Sequence, residues 1–255
     1  MNWWCMDEGG EDVIGPGAAE IRRVLRDEPI VVVSPHMDDG VFACGEALGA
    51  SPGSVVITVF AGGPDGGTAS LTEWDAAAGF REGDDVIAAR RAEDALALQF
   101  LRARPVWLEF RDAQYGPSPS VDEVAQALAG VLEDVGELPV LFPLGLFHSD
   151  HVLTHEACLR AREHTDHAGL WLLYADINYR TIPGLVDERL AALIRRGLRF
   201  RRLAPDPRPA SERKRWAVAS YGSQLRALAT EGRPGSDDAF APECYWLIEA
   251  TAERK

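Results

Sequence analysis

Two short clusters of histidine and aspartate hold the side chains in this sequence that are best suited to chemistry. They are Pro35-His36-Met37-Asp38-Asp39 and His148-Ser149-Asp150-His151. Proteins bind zinc through imidazole nitrogen and carboxylate oxygen, and a catalytic zinc site uses three protein ligands and keeps one position open for water. His36, Asp39 and His151 match this ligand set, so the clusters predict a metal site that activates water.

The other side chains of the clusters suit the remaining steps of a hydrolysis. An attacking water needs a base to accept its proton, and the oxyanion that forms needs a group to stabilise it. Asp38 and His148 are available for these two roles. Asp150 is placed to orient an imidazole, as carboxylates beside metal ligands commonly do. The residues alone therefore favour a metal-dependent hydrolase.

Each cluster follows an apolar run that is typical of a buried parallel strand. Residues 30–33 are Ile-Val-Val-Val, and residues 140–142 are Val-Leu-Phe between two prolines. Helices are predicted after the clusters, over 41–48 and from 148 to 162. Active sites of open α/β sheets lie beyond the carboxyl ends of the strands, so both clusters are expected to face one crevice.

Strands and helices are predicted to alternate along the whole chain. This pattern favours one α/β domain over residues 1–255, with a Rossmann-like, open, mostly parallel sheet and helices on both faces. Residues 1–20 are expected to form a poorly ordered N-terminal extension. The further strands are predicted at 55–60, 106–108, 170–174 and 245–250, and the further helices near 84–101, 120–134, 184–197 and 211–229.

The two clusters, in this order and more than a hundred residues apart, resemble the paired motifs of the PIG-L/LmbE family of zinc-dependent N-deacetylases. The resemblance covers most of the chain. It implies an enzyme that removes an N-acetyl group from a small, amino-sugar-like or natural-product substrate. Weaker similarities occur in the order found in the family: Arg90-x-x-Glu93, Lys214-x-x-Ala217, Tyr221-Gly222-Ser223-Gln224 and Glu243-x-Tyr245.

The resemblance also assigns a role to each residue of the predicted site. It implies that His36, Asp39 and His151 hold one zinc ion per chain. Asp38 would be the general base. His148 would stabilise the tetrahedral intermediate or protonate the leaving amine.

This chain departs from the commonest family pattern at three positions. The first motif usually reads Ala-His-Pro-Asp-Asp-Glu, whereas Met37 and Gly40 stand here in place of the proline and the glutamate. Leu146 occupies a position where some members carry a tyrosine.

A second His-x-Asp-His tetrad occurs at 164–167, and its first histidine lies thirteen residues beyond His151. It is expected to lie too far along the helix to bind the same metal.

Residues 62–81 are expected to shape the substrate pocket, because they follow a strand and should overhang the same crevice. Trp74 could stack on the face of a sugar, and Asp75 could accept hydrogen bonds from hydroxyl groups. Ordinary packing within the loop is an equal alternative for both residues. Arg81 and Met37 complete the predicted substrate contacts.

Other residues near these motifs have a structural interpretation. Arg90 and Glu93 lie one helical turn apart and are expected to pair with each other. Tyr115 and Tyr179 are further candidates for the pocket wall. The basic run at 195–202 is expected to be a solvated surface.

Composition narrows the classes of partner. The net charge is −14, which would repel nucleic-acid phosphates, so a small molecule is the expected partner.

Residues 1–12 are acidic and contain no long apolar stretch, so neither secretion nor a membrane span is expected. Four scattered cysteines fit a reducing cytoplasm. The 24 arginines against 2 lysines hint at a high-GC, bacterial genome.

Two alternatives to an N-deacetylase stay open from the sequence. The site specifies water activation more than it specifies an acyl group, so a metallohydrolase that cleaves a different amide or N-acyl bond is the nearer alternative. The other is an inactive homologue that binds a small molecule. A set of two histidines and one aspartate also accepts iron, cobalt or nickel. The oligomeric state is not readable from the sequence.

Overall fold

The computed structural model describes residues 28–63, 71–204 and 209–249, which form a seven-stranded mixed sheet covered by helices. The order of the strands across the sheet is β3-β2-β1-β4-β5-β7-β6. The strands are β1 (Val31–Ser34), β2 (Val55–Thr58), β3 (Arg104–Trp107), β4 (Val140–Pro143), β5 (Trp171–Tyr174), β6 (Phe200–Arg202) and β7 (Tyr245–Ile248).

Strand β1 lies at the point where the order of the sheet reverses. The chain passes from β1 outward to β2 and β3, and it then returns to place β4 on the other side of β1. The first five strands are parallel, and β7 is antiparallel to β5 and β6. Ligands of open α/β sheets bind at such a reversal, beyond the carboxyl ends of the two strands. Both sequence clusters follow these two strands.

Helices pack on both faces of the sheet, as predicted. Side chains alternate along β1, so that Val32 enters the core on one face while Val31 and Val33 enter the core on the other. Within the described ranges the helices are α1 (Asp39–Ala50), α2 (Glu73–Ala77), α3 (Val86–Leu101), α4 (Val121–Val135), α5 (Ser149–His164), α6 (Leu185–Arg195), α7 (Glu212–Ala219) and α8 (Gly222–Leu228). The predicted α/β class and mostly parallel sheet are confirmed.

Strand β6 was not predicted, because it lies in the basic run that was expected to be solvated surface. It pairs only along one side, with β7, and its Arg201 and Arg202 side chains are exposed. Charged side chains are common on such edge strands, where they oppose pairing with another chain. The expectation of a solvated surface was right for these arginines, and the strand that carries them was missed.

The helix predicted over 211–229 is two helices, α7 and α8. The chain turns inward between them and buries Tyr221, whose hydroxyl lies 2.7 Å from Asp94 Oδ1 and 3.0 Å from the Met37 carbonyl oxygen. A straight helix could not deliver this hydroxyl to both partners. The break therefore ties the turn that carries the first cluster to helix α3.

Several predictions fall outside the described residues. These are the N-terminal extension at 1–20, part of the glycine-rich segment at 64–70, and the last position of the strand predicted at 245–250. Among the helices that are described, none combines the length and the apolar character needed to cross a membrane.

Helix α1, which begins with Asp39, is kinked at Cys44, where φ is −130° and ψ is 17°. A kink of this kind frees backbone N–H groups from their usual helical acceptors. The carboxylate of Glu243 accepts hydrogen bonds from the N–H of Glu46 at 2.7 Å and of Ala47 at 3.2 Å. Glu243 therefore caps the second half of the helix, as an N-cap residue would.

The Glu243 carboxylate is neutralised by a lysine in the core. Lys214 Nζ lies 2.6 Å from Glu243 Oε1, and the Lys214 side chain is 1% exposed. The hydroxyl of Tyr245 donates to the second oxygen at 2.5 Å. The lysine reaches this position across Gly45, where a Cβ atom would lie 2.8 Å from Lys214 Cγ. Gly45 thus leaves room for the cation beside the kink.

Replacing Lys214 by Met should destabilise the protein by about 3–5 kcal/mol, because it leaves a buried carboxylate without its counter-charge. Urea unfolding measures this loss. The double variant Lys214→Met/Glu243→Gln is the matched control, since its amide oxygen can still accept a hydrogen bond from α1. It should be clearly more stable than the single variant. A double variant that is less stable than Lys214→Met would contradict the role of charge compensation.

Candidate active site

The first cluster is held in a tight turn between β1 and α1. The buried hydroxyl of Ser34 donates to the carbonyl oxygen of His36 and accepts the N–H of Gly40 at 2.7 Å. A Cβ atom at Gly40 would lie 3.1 Å from Ser34 and 3.2 Å from Val32. Gly40 therefore lets the first turn of α1 approach the strand closely.

The second cluster follows β4 through a strained turn. The N–H of His148 donates to the Leu146 carbonyl at 2.7 Å across Phe147, whose φ is +59°. This is the rare form of γ-turn with a positive φ at its centre. It places His148 at the N-cap of α5, where the ring Nδ1 accepts the N–H of Asp150 at 3.2 Å. The backbone thus fixes the direction of the His148 ring.

The structure brings the three predicted metal ligands together. Asp39 Oδ2 lies 3.0 Å from His36 Nδ1 and 3.2 Å from His151 Nε2. One ligand atom from each of the three side chains falls within 4.8 Å of the others. Two imidazole nitrogens and one carboxylate oxygen therefore surround a single point at the carboxyl ends of β1 and β4.

A buried carboxylate holds the outer nitrogen of each imidazole. His36 Nε2 lies 3.1 Å from Asp150 Oδ2, and His151 Nδ1 lies 2.6 Å from Asp176 Oδ1. Such partners fix the tautomer and orientation of a metal-binding histidine. The imidazole contact proposed for Asp150 is thus present in the geometry, and its partner is His36.

Sequence reasoning missed Asp176, which holds His151. Asp176 lies two residues after the end of β5, and it also accepts the N–H of Gly145 at 3.0 Å. The available signal was its place after a strand, the same signal that selected both clusters. Asp112 was missed as well, and its Oδ2 lies 3.8 Å from His36 Nε2.

The carboxylates make the centre strongly negative. Burial alone would lower the pKa of His36, but the charge of Asp112, with contributions from Asp39, raises it well above its usual value. Burial is likewise outweighed at His151, where Asp39 and Asp176 raise the pKa to about 9. A field that stabilises a proton on either imidazole also stabilises a bound cation at the same place. The donor set and the field therefore fit a divalent metal.

Asp38 is the carboxylate suited to accept a proton. It lines the pocket, and burial followed by the neighbouring charge of Asp39 raises its pKa to about 7. A general base works best when its pKa lies close to the working pH. The structure therefore gives the two neighbouring aspartates different environments, since the pKa of Asp39 is lowered well below its usual value by His151 and His36.

His148 is suited to donate a hydrogen bond while neutral. Burial, followed by the charges of His36 and His151, lowers its pKa. Because Nδ1 accepts the N–H of Asp150, we assign the ring proton to Nε2. A neutral imidazole with this tautomer can donate to an oxyanion within the pocket.

A pocket of about 400 Å³ opens over these residues. Of the predicted substrate contacts, Met37 and Trp74 line it. Arg81 does not: its side chain is exposed, and its N–H donates to Asp84 Oδ2 at 2.8 Å in a local turn. A substrate contact by Arg81 stays a prediction without support from the pocket lining. Further lining residues include Arg90, Asp112, Gln114, Tyr115, Tyr179, Gln224 and Arg233.

Asp75 is buried beneath the pocket wall. It accepts hydrogen bonds from Arg90 Nη2 at 2.7 Å and from the Tyr115 hydroxyl at 2.9 Å. The expected pairing of Arg90 with Glu93 is therefore wrong. Glu93 instead accepts from the N–H and the hydroxyl of Ser223, at 2.7 and 2.6 Å, because the first turn of α8 offers unsatisfied N–H groups. A direct hydrogen bond from Asp75 to a substrate stays untested.

Trp74 is held by two neighbours. Its Nε1 donates to Gln224 Oε1 at 3.0 Å, and the guanidinium of Arg233 lies 4.6 Å from the centre of its ring. The cation therefore covers part of one face of the indole. The predicted stacking of a sugar on Trp74 stays a prediction, and it would use the remaining surface of this side chain.

The second His-x-Asp-His tetrad lies far from the centre. Helix α5 begins at Ser149 and ends at His164, so the two tetrads are separated by about 20 Å along its axis. His167 Nε2 donates to the Leu138 carbonyl at 2.8 Å, at the opposite end of β4 from the site. His167 thus binds the backbone at the far end of the sheet, whereas His164 and Asp166 are exposed.

Comparison with known proteins identifies related folds. The family model described as PIG-L, GlcNAc-PI de-N-acetylase, matches residues 31–162, more than half of the 255-residue chain. No curated protein matches the sequence.

Three solved structures share the fold over nearly the whole chain. A deacetylase triple mutant from the teicoplanin biosynthetic pathway is 23% identical, with 88% of this chain and 99% of that chain covered and a TM-score of 0.70. The zinc-inhibited form of a teicoplanin deacetylase is 20% identical, with the same coverage and a TM-score of 0.70. An A40926 pseudoaglycone deacetylase is 23% identical, with 89% and 99% covered and a TM-score of 0.68.

The strained turn before His148 gives a prediction about stability. Alanine at a positive φ costs about 1–2 kcal/mol, whereas glycine adopts that conformation readily. Phe147→Gly should therefore be more stable than Phe147→Ala by about 1 kcal/mol in urea unfolding.

A helical position provides the control for this comparison. Ala95→Gly, at an exposed position of α3, should be less stable than wild type by about 1 kcal/mol, the usual order for these two residues. If Phe147→Gly is the less stable member of its pair, the turn does not carry the strain assigned to it.

Proposed function

Because this chain belongs to the PIG-L family of de-N-acetylases, as its two motifs predicted, we propose that it is a metal-dependent hydrolase that removes an N-acetyl group from an amino-sugar-like or natural-product substrate. The observation that carries the proposal is the convergence of His36, Asp39 and His151 on one point, with Asp38 and His148 beside it. The names of two structural neighbours, a deacetylase of the teicoplanin biosynthetic pathway and an A40926 pseudoaglycone deacetylase, support the substrate class.

Zinc is the proposed metal, with one ion per chain. Its support is the donor set of two imidazoles and one carboxylate, and the outer carboxylates Asp150 and Asp176 that hold the two rings. One structural neighbour is named as a zinc-inhibited form of a teicoplanin deacetylase, which associates zinc with that protein. When bound, zinc would supply a Lewis acid that polarises the amide carbonyl and makes a water more acidic.

Asp38 is proposed to take the proton of the attacking water as its oxygen forms a bond to the amide carbon. Its raised pKa makes it a base near neutral pH that can later release the same proton. The N–H of His148 Nε2 would stabilise the negative oxygen of the tetrahedral species. Return of the proton to nitrogen then breaks the C–N bond, and acetate and the free amine leave.

The whole chain is proposed to act as one catalytic domain. Asp38 and His148, from the segment matched by the family model, line the pocket together with Tyr221 and Arg233 from the segment that follows it. The substrate must therefore contact segments that are distant in the sequence.

The identity of the acyl group is tested by measuring acetate release from a panel of N-acetylated amino sugars, with N-propionyl analogues as the comparison.

Metal content tests the ligand set directly. Purified wild-type protein should contain about one zinc per chain by elemental analysis, and His151→Ala should lose most of it. His164→Ala is the control, because it removes an exposed histidine of the distant tetrad, and it should keep the metal. Retention of zinc in His151→Ala, or loss in His164→Ala, would move the site elsewhere.

Replacing Asp38 by Asn should separate metal binding from turnover. The variant should keep its zinc but release acetate at least 10²- to 10⁴-fold more slowly, because the amide cannot accept the proton. Asp134→Asn, an exposed change on α4, serves as the control and should match wild type. Normal turnover by Asp38→Asn would remove the base from the proposed mechanism.

A further inference from the structure

We infer that Phe147 and Tyr179 form a binding platform at the pocket mouth for a flat, apolar ring on the amine side of the substrate. The inference rests on the proposed function and deepens it, because it names the kind of scaffold that carries the N-acetyl group. Both residues line the pocket together with His148.

Phe147 is exposed in a way that packing does not explain. Its side chain is 71% exposed, more than any other large hydrophobic residue in the described ranges. The same residue holds the positive φ at the centre of the γ-turn before His148. A phenyl group in solvent on a strained backbone contributes little to folding, and conformations of this kind concentrate at functional sites.

The two rings form an ordered stack beside the metal ligands. The Phe147 and Tyr179 rings are 5.3 Å apart at an angle of 28°, and Tyr179 is nearly parallel to His148, at 6.5 Å and 24°. The His151 and Tyr179 rings meet edge to face, with their centroids 5.2 Å apart and an angle of 85° between their planes. The platform is thus fixed relative to the site, with much of the Phe147 ring open to a ligand.

The position of the platform indicates which part of the substrate it contacts. The reacting amide must lie beside Asp38 and His148, whereas Phe147 lies outside them at the mouth. A pocket of about 400 Å³ is much larger than an acetamido group, so it has room for the scaffold that bears the amine. A flat aromatic surface favours a planar apolar partner, such as an aromatic ring attached to the sugar.

Two glycosides of the same sugar test the platform, one with a phenyl group and one with a methyl group on the glycosidic oxygen. The phenyl and methyl β-glycosides of 2-acetamido-2-deoxyglucose are titrated into zinc-loaded protein by calorimetry. Wild type should bind the phenyl glycoside about 3- to 10-fold more tightly than the methyl glycoside. Phe147→Ala and Phe147→Gly should bring the ratio close to one. Phe100→Ala, which removes a partly exposed phenyl group on α3 away from the pocket, should keep the wild-type ratio.

Several results would overturn the platform. They are a wild-type ratio near one, no binding of either glycoside, or a preference that persists in both Phe147 variants. Sedimentation that shows dimers in wild type but not in Phe147→Ala, with an unchanged ratio, would assign Phe147 to contacts between two copies of the chain instead.

Acetate release measured on the same samples separates this inference from the proposed function. In one outcome the protein prefers the phenyl glycoside in a Phe147-dependent way but releases no acetate. That result would support the platform and contradict the proposed deacetylase activity. Acetate release without any phenyl preference would support the deacetylase and contradict the platform.

Discussion

One carboxylate oxygen joins the two halves of the site. Asp39 Oδ2 accepts the backbone N–H of His36 at 2.9 Å, and it also lies 3.0 Å from the His36 ring and 3.2 Å from His151 Nε2. Burial of this group would be unfavourable in isolation, and the imidazoles offset the loss of solvent. The contact requires the ends of β1 and β4 to be adjacent, so the reversal of strand order is the feature of the fold that makes it available.

Several carboxylates surround this oxygen, and lysine and arginine side chains alone do not balance their negative charge. Asp38, Asp112, Asp150 and Asp176 all act on the two central imidazoles or on Asp39. Protons on the imidazoles can balance this charge, and a divalent cation would balance it at the same place.

Local signals in the sequence were sufficient for much of this architecture. Four of the five parallel strands are mainly apolar runs, and the motif residues follow two of them, so both the sheet and the convergence of His36, Asp39 and His151 could be predicted. Strand β6 could not, because its charged side chains reflect an edge position that only the assembled sheet defines. Asp176 and the Asp75–Arg90 pair were missed for a related reason. Their partners are set by which strands and helices become neighbours, and no spacing within one segment encodes that.

The cap on helix α1 can form only after nearly the whole chain has been made. Glu243 binds the N–H groups of Glu46 and Ala47, which lie 197 and 196 positions earlier in the chain. During synthesis the helix that begins with Asp39 must wait for residue 243 to leave the ribosome before its kink is completed. Contacts of such long sequence separation form slowly, because closing the intervening chain costs entropy before the contact is made. A nascent chain that already contains both histidine clusters thus still lacks the cap on the second half of the helix that begins with Asp39.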